Sequence, residues 1–196
     1  MIYKICRVIV FIINCIMFKF TIIGGENIPK KGSALICPNH VSNYDPLAVA
    51  SMIPREVHFM AKAELFNNPL LGWFLKKVHA FPVNRNEVSI DTIKTSLKIL
   101  KNQELLGIFP EGKRVKSDER IQPASGFVVF AIKTKSPIIP IRIQGEYKFR
   151  SKIEIIIGEP IYLTEHYGKK ISEKESEALS KQIMDTIYDL KQTAVV

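Results

Sequence analysis

The chain has 196 residues, 46% of them apolar and 24% charged, with a net charge of +9. That balance suits one globular domain with a full hydrophobic core and excludes a disordered chain. The positive charge is uneven: residues 1–150 carry 22 Lys or Arg against 11 Asp or Glu, while residues 151–196 carry 6 against 8. A basic body favours an anionic partner such as anionic lipid or a phosphorylated or acidic substrate carrier. Nucleic acid is disfavoured, because there is no basic helix, zinc-finger spacing or RNP-type aromatic motif. The three cysteines, Cys6, Cys15 and Cys37, are odd in number and form no CxxC, so neither a disulfide framework nor a metal site is expected.

Residues 1–20 open the chain with an uncharged run from Val8 to Phe18, 11 residues long. A bilayer span needs about 20 residues. Lys4 and Arg7 before an apolar run also resemble a signal peptide, but no small-x-small cleavage site follows. The remaining readings are a buried core helix or a helix lying in a membrane interface, with Lys4, Arg7 and Lys19 at anionic headgroups. The second is the expectation here, giving a membrane-associating segment over 1–19 and a single domain over 20–196.

Downstream, short apolar runs alternate with helical patterns, the rhythm of an α/β fold. Strands are predicted at 20–24, 33–37, 57–61, 79–84, 105–109, 137–143 and 153–158, and helices at 2–18, 46–53, 69–77, 89–101, 124–134 and 173–191. Together they make a mostly buried mixed sheet of about seven strands flanked by helices. Runs such as Ala34 to Cys37 suit strands covered on both faces. Pro140 would be unusual in a central strand, so an edge or a bulge is expected there. In the last helix Leu179, Ile183, Ile187 and Leu190 form one apolar stripe, and Ser172 with Glu175 reads as a capping box.

Four stretches carry chemistry. Asn39-His40-Val41-Ser42-Asn43-Tyr44-Asp45-Pro46 joins a buried strand to a helix. Asp45 before Pro46 reads as an N-cap followed by a proline at the first helical position. Such a turn puts polar side chains at the carboxyl edge of the sheet, where α/β sites sit. A His–carboxylate pair there can act as general base for an alcohol, Asp45 holding the tautomer of His40. Alternatively Asp45 is only a cap and His40 only a loop histidine. Phe109-Pro110-Glu111-Gly112-Lys113-Arg114 follows an apolar strand; Gly112 permits close backbone approach, Arg114 offers a fork for phosphate, and Glu111 could orient that Arg or complete a polar site. Alone it is also an ordinary charged turn. Ala80 to Arg85 is a short apolar strand ending in Arg85, a second phosphate ligand or a solvated strand end. Pro137 to Ile141 is an apolar strand whose default role is packing.

In this order the four stretches resemble the blocks of the glycerolipid acyltransferase (PlsC-like) family: N-H-x-S-x-x-D at Asn39 to Asp45, an apolar strand ending in Arg at Phe81 to Arg85, F-P-E-G-[TS]-R at Phe109 to Arg114, and V-P-[IVL] at Ile139 to Ile141. The likeness covers roughly residues 20–160. Lys113 stands where the family has Thr or Ser, and Val41 where a polar residue is common. The resemblance implies that His40 and Asp45 are catalytic and that Arg85, Glu111, Gly112 and Arg114 form the acceptor site. It implies an acyl donor, acyl-CoA or acyl-carrier protein, and lysophosphatidic acid as acceptor, with no metal and no further cofactor. It also implies work at an anionic membrane surface, on the cytoplasmic face. Glycerol-3-phosphate or another lysophospholipid as acceptor, a thioester hydrolase, and a non-catalytic peripheral protein are the alternatives.

Overall fold

A computed structural model describes residues 1–84, 89–115 and 119–191. Helix α1 (Ile2–Met17) leads into β1 (Lys19–Ile23), β2 (Ala34–Pro38), α2 (Asp45–Met52), β3 (Val57–Lys62) and α3 (Pro69–Lys77). There follow β4 (Phe81–Val83), α4 (Ile90–Lys101), β5 (Leu105–Gly107), α5 (Gly126–Thr134), β6 (Ile138–Gln144), β7 (Lys152–Ile157) and α6 (Glu173–Asp189). The seven strands form one mixed sheet in the order β1-β7-β6-β2-β5-β3-β4. Every pairing is parallel except β6 with β7.

The central strands are apolar because both faces are covered. Leu35, Cys37, Leu106 and Ile138 face α4, α5 and α6, where they meet Phe127, Val128, Ile183 and Ile187. Ala34, Ile36, Leu105, Ile139 and Ile141 face the other way, onto Ala48, Val49 and Ile53 of and beside α2. Helix α1 packs outside α2. The capping box read at the start of α6 is present. Ser172 accepts from the Glu175 amide at 3.3 Å and Glu175 Oε2 accepts from the Ser172 amide at 2.7 Å. Asn68 holds the amides of Leu70 and Leu71 at the start of α3.

Pro140 is not on an edge: β6 lies between β7 and β2. The sheet accommodates it with a bulge. Between the pairs Ile141↔Ile157 and Ile138↔Ile161, residues 139–140 stand opposite 158–160. The Pro140 carbonyl accepts from the Gly158 amide at 2.9 Å on this side, so its missing N–H falls where the ladder is already interrupted.

Because β2, β3, β4, β5 and β6 run the same way, their carboxyl ends share one edge. The turn after β2 and the loop after β5 therefore converge, and they carry the first and third sequence blocks.

Candidate active site

His40 leaves the end of β2 and Asp45 opens α2, five residues on. His40 Nδ1 lies 2.9 Å from Asp45 Oδ2. The same oxygen accepts from the amides of Val41 and Ser42, each at 2.7 Å. The other oxygen, Oδ1, accepts from the Tyr147 hydroxyl at 2.8 Å. Asp45 is 0% exposed, so four donors replace the water it has lost. Its role differs from the N-cap expected: Tyr44 is the N-cap, and the Asp45 carboxylate turns back to the preceding loop. The dipeptide Asp-Pro reads the same way in both cases, which is why the pattern misleads.

With Nδ1–H directed at a carboxylate, Nε2 is left as the basic nitrogen of His40. The ring is stacked on Phe109, centroids 4.1 Å apart, and Phe109 stacks in turn on Phe59 at 5.7 Å. Phe59 needs Gly107: a β-carbon there would stand 2.4 Å from its ring. A bare position in β5 thus seats the aromatic column that fixes the imidazole plane. Asn39, one residue earlier, extends the sheet by pairing its side chain with the backbone of Ile143 in both directions, at 3.1 and 2.6 Å.

Glu111 is buried under the same histidine. Its Oε2 accepts from the His40 amide at 2.5 Å and its Oε1 from the Tyr188 hydroxyl at 2.5 Å. Burial pushes this carboxyl up to about 7, against the opposing effect of the two hydrogen bonds, and the charge of Asp45 adds to the rise. Burial, with the neighbouring carboxylates contributing, also raises Tyr147 and Tyr188, so both phenols stay protonated and act as donors. Glu111 thus ties the third block to the first and to α6; an acceptor contact from it would displace one of these bonds. It makes no bond to an arginine among the described residues.

Arg114 is exposed beside the site. The next amide, that of Val115, donates to the His40 carbonyl at 2.8 Å, which fixes the loop against the histidine. Gly112 has φ +66° and open space where a β-carbon would stand, as a close approach by a ligand requires. Two amides of this loop are already committed, Gly112 to the Phe109 carbonyl and Val115 to His40. Arg85 lies outside the described residues. Beside Ile108 an apolar groove of about 330 Å³ opens between Met60, Leu97, Phe127 and Phe130.

Tyr147 and Tyr188 are absent from the sequence reading. Tyr147 follows Gly145 just past the carboxyl end of β6, and that position at the functional edge is the one signal that could have flagged it. Tyr188 lies in the last helix with no motif around it. Cys37 is wholly buried and its thiol is pushed up by burial, so it is no nucleophile at neutral pH. Among the described residues no three His, Cys, Asp or Glu side chains converge as a metal site.

A buried, carboxylate-oriented histidine at the carboxyl edge of an α/β sheet, next to a loop that carries an exposed arginine, has the arrangement of a general base for a hydroxyl. Residues 19–144 match the family described as Acyltransferase. The chain is 33% identical over 195 residues to the 1-acyl-sn-glycerol-3-phosphate acyltransferase of Bacillus subtilis, covering 96% of each chain. It is 29% identical to the enzyme of that name from Borreliella burgdorferi, over 89% of this chain and 72% of that one. The chain belongs to the acyltransferase family. The fold matches the crystal structure of the 1-acyl-sn-glycerophosphate acyltransferase PlsC from Thermotoga maritima with a TM-score of 0.70 at 22% identity, over 97% of this chain and 79% of that one.

Proposed function

We propose that the protein transfers a fatty acyl group from a thioester to the free hydroxyl of lysophosphatidic acid, forming phosphatidic acid. The observation that carries this is the His40–Asp45 pair, its carboxylate held by three further donors, in a chain whose relatives bear the name 1-acyl-sn-glycerol-3-phosphate acyltransferase. His40 Nε2 takes the hydroxyl proton as the acceptor oxygen attacks the thioester carbonyl. Asp45 stabilises the imidazolium. The tetrahedral intermediate collapses with cleavage of the C–S bond, and the thiolate leaves with the proton returned by His40. Arg114, together with Arg85, binds the acceptor phosphate, and the groove beside Ile108 takes an acyl chain. The donor is acyl-CoA or acyl-carrier protein, whose negative charge suits the basic body of the chain.

Helix α1 serves as a monotopic anchor to the cytoplasmic face of an anionic membrane. It has 16 residues, about 24 Å at 1.5 Å each, and no helix among the described residues is long and apolar enough to cross a bilayer. Ile5, Val8, Ile9, Ile12 and Ile16 are nonetheless exposed along one side. The opposite side is held to the protein by Tyr3, whose hydroxyl accepts from the Val57 amide, and by the wholly buried Asn14, bonded to Ser51 and Tyr44. Arg7 donates to the Pro54 carbonyl at 2.7 Å, which draws it toward the protein and leaves Lys4 and Lys19 as the cations for headgroups.

Labelled acyl-CoA and acyl-carrier protein, each offered with lysophosphatidic acid, glycerol-3-phosphate, another lysophospholipid or no acceptor, test the reading. Label is expected in phosphatidic acid. Label only in free fatty acid would make the protein a hydrolase, and no turnover with any pair would make it non-catalytic.

A further inference from the structure

Helix α3 is built the wrong way round for a helix in water. A surface helix ordinarily turns its apolar stripe to the core. Here the inward position is a glycine: Gly72 is buried, and a β-carbon on it would stand 2.9 Å from the Phe66 carbonyl oxygen. The helix therefore lies backbone-close on the short turn before it, and its bulky side chains point away. Leu70, Trp73, Phe74 and Lys77 follow the i, i+3, i+4, i+7 spacing of one face, and Leu70 is 76% and Trp73 53% exposed. Leu65 and Leu71 widen the patch. Lys76 and Lys77 are exposed at its end, with Lys77 Nζ 5.9 Å from the Trp73 ring centroid. Glu64, in the turn before the helix, is paired with Lys62 at 3.2 Å.

The end of α3 lies close to the start of α1. The His79 ring, just past α3, lies 5.0 Å from that of Tyr3 near the start of α1. Helix α3 begins just beyond the carboxyl end of β3, the edge where His40 stands, and ends against Tyr3. Helix α1 begins there and returns to the same edge, where Phe18 packs on Tyr44 and Tyr147. Two elements with outward apolar faces thus run between the same two edges of the sheet.

We propose that α3 is a second lipid-contacting element, with Leu70, Trp73 and Phe74 in the acyl boundary of an anionic bilayer and Lys76 and Lys77 at its headgroups. The proposal rests on the reading that α1 lies on a bilayer. Apolar side chains with an aromatic ring and lysines at the margin match the depth profile of such an interface. A second copy of the chain fits less well, since each patch carries the same uncompensated lysines. A further contact beside the catalytic edge would hold His40 toward the lipid acceptor.

Trp73 is the only tryptophan of the chain, so its fluorescence reports on α3 alone. The full chain is mixed with vesicles of phosphatidylcholine with or without phosphatidylglycerol, and flotation and emission are read together. With anionic vesicles the emission should move to shorter wavelength and be quenched by lipid brominated along the acyl chain. The double substitution Leu70→Ser with Phe74→Ser, both exposed, should weaken vesicle binding about tenfold while leaving circular dichroism unchanged. Protein that floats while Trp73 emission stays that of water would overturn the proposal and leave the α1 anchor standing. Protein that never floats would overturn both. A blue shift that grows with protein concentration without lipid, and that vesicles do not alter, would assign the face to self-association and also overturn the proposal.

Discussion

Helices α1 and α6 have 16 and 17 residues and both are amphipathic, yet they meet different surroundings. Helix α6 buries Ile183, Met184 and Ile187 against α5 and β6 and turns its charged residues to water. Helix α1 buries Tyr3 and Asn14 and turns its isoleucines outward. An apolar stripe read from sequence says that a face exists, not what covers it; the polar anchors on the opposite side decide that. The two helices also reach the site differently. Tyr188 of α6 grips Glu111, which holds the backbone of His40. Asn14 of α1 bonds to Tyr44, and Tyr44 packs on Tyr147, which holds the carboxylate bonded to the His40 ring. One side therefore bears on the imidazole and the other on the main chain, and substitutions should separate chemistry from stability.

The largest effect should come from the ring side. Asp45→Asn removes the charge that stabilises the imidazolium; its amide oxygen in the place of Oδ2 can still accept from Val41, Ser42 and His40 Nδ1, while its amide nitrogen meets the Tyr147 hydroxyl in the place of Oδ1. Turnover should fall about 100- to 10,000-fold in a folded protein. Activity within a few-fold of the parent would remove Asp45 from the chemistry.

Tyr147→Phe keeps the ring packed against Phe18 and Tyr44 and removes one of four donors to Asp45. The turnover number should drop about tenfold, the scale of one hydrogen bond to a charged group, with acceptor KM little changed. An unchanged rate would reduce Tyr147 to packing.

The smallest effect on catalysis belongs to the backbone side. Glu111 has its folded pKa raised from 4.5 to about 7. Between those values the folded state binds a proton that the unfolded state does not, so this group's contribution to stability falls as pH rises from about 4.5 to about 7. Glutamine can still accept from His40 and meet Tyr188. Glu111→Gln should therefore flatten that part of the stability curve, read as urea midpoints at pH 5 and pH 8. A variant that keeps the parent's slope would place the titrating group elsewhere.

Most of the fold is legible from local pattern. The strands and helices fall within a few residues of their expected places because the buried runs and Ser172–Glu175 are all local signals. Pro140 is harder: its missing N–H excludes a plain ladder position, but the chain pattern does not say which neighbour carries the bulge. The site divides in the same way. His40 and Asp45 are five residues apart and readable together. Tyr147 lies 102 residues from Asp45 and Tyr188 lies 77 from Glu111, so their hydroxyls join the site only through the topology of β6 and α6. Glu111 reads as orienting Arg114 or completing a polar site, or as part of a charged turn; only the depth of the loop under His40 shows it buried and bonded to His40 and Tyr188 instead.

The proposed mechanism requires His40 to remove a proton from the acceptor hydroxyl. Initial rates of acyl transfer to lysophosphatidic acid by His40→Ala, measured beside its circular dichroism and thermal midpoint, test it most directly. A loss of about 100- to 10,000-fold is expected in a protein that remains folded. A folded His40→Ala variant turning over at close to the parent rate would contradict it.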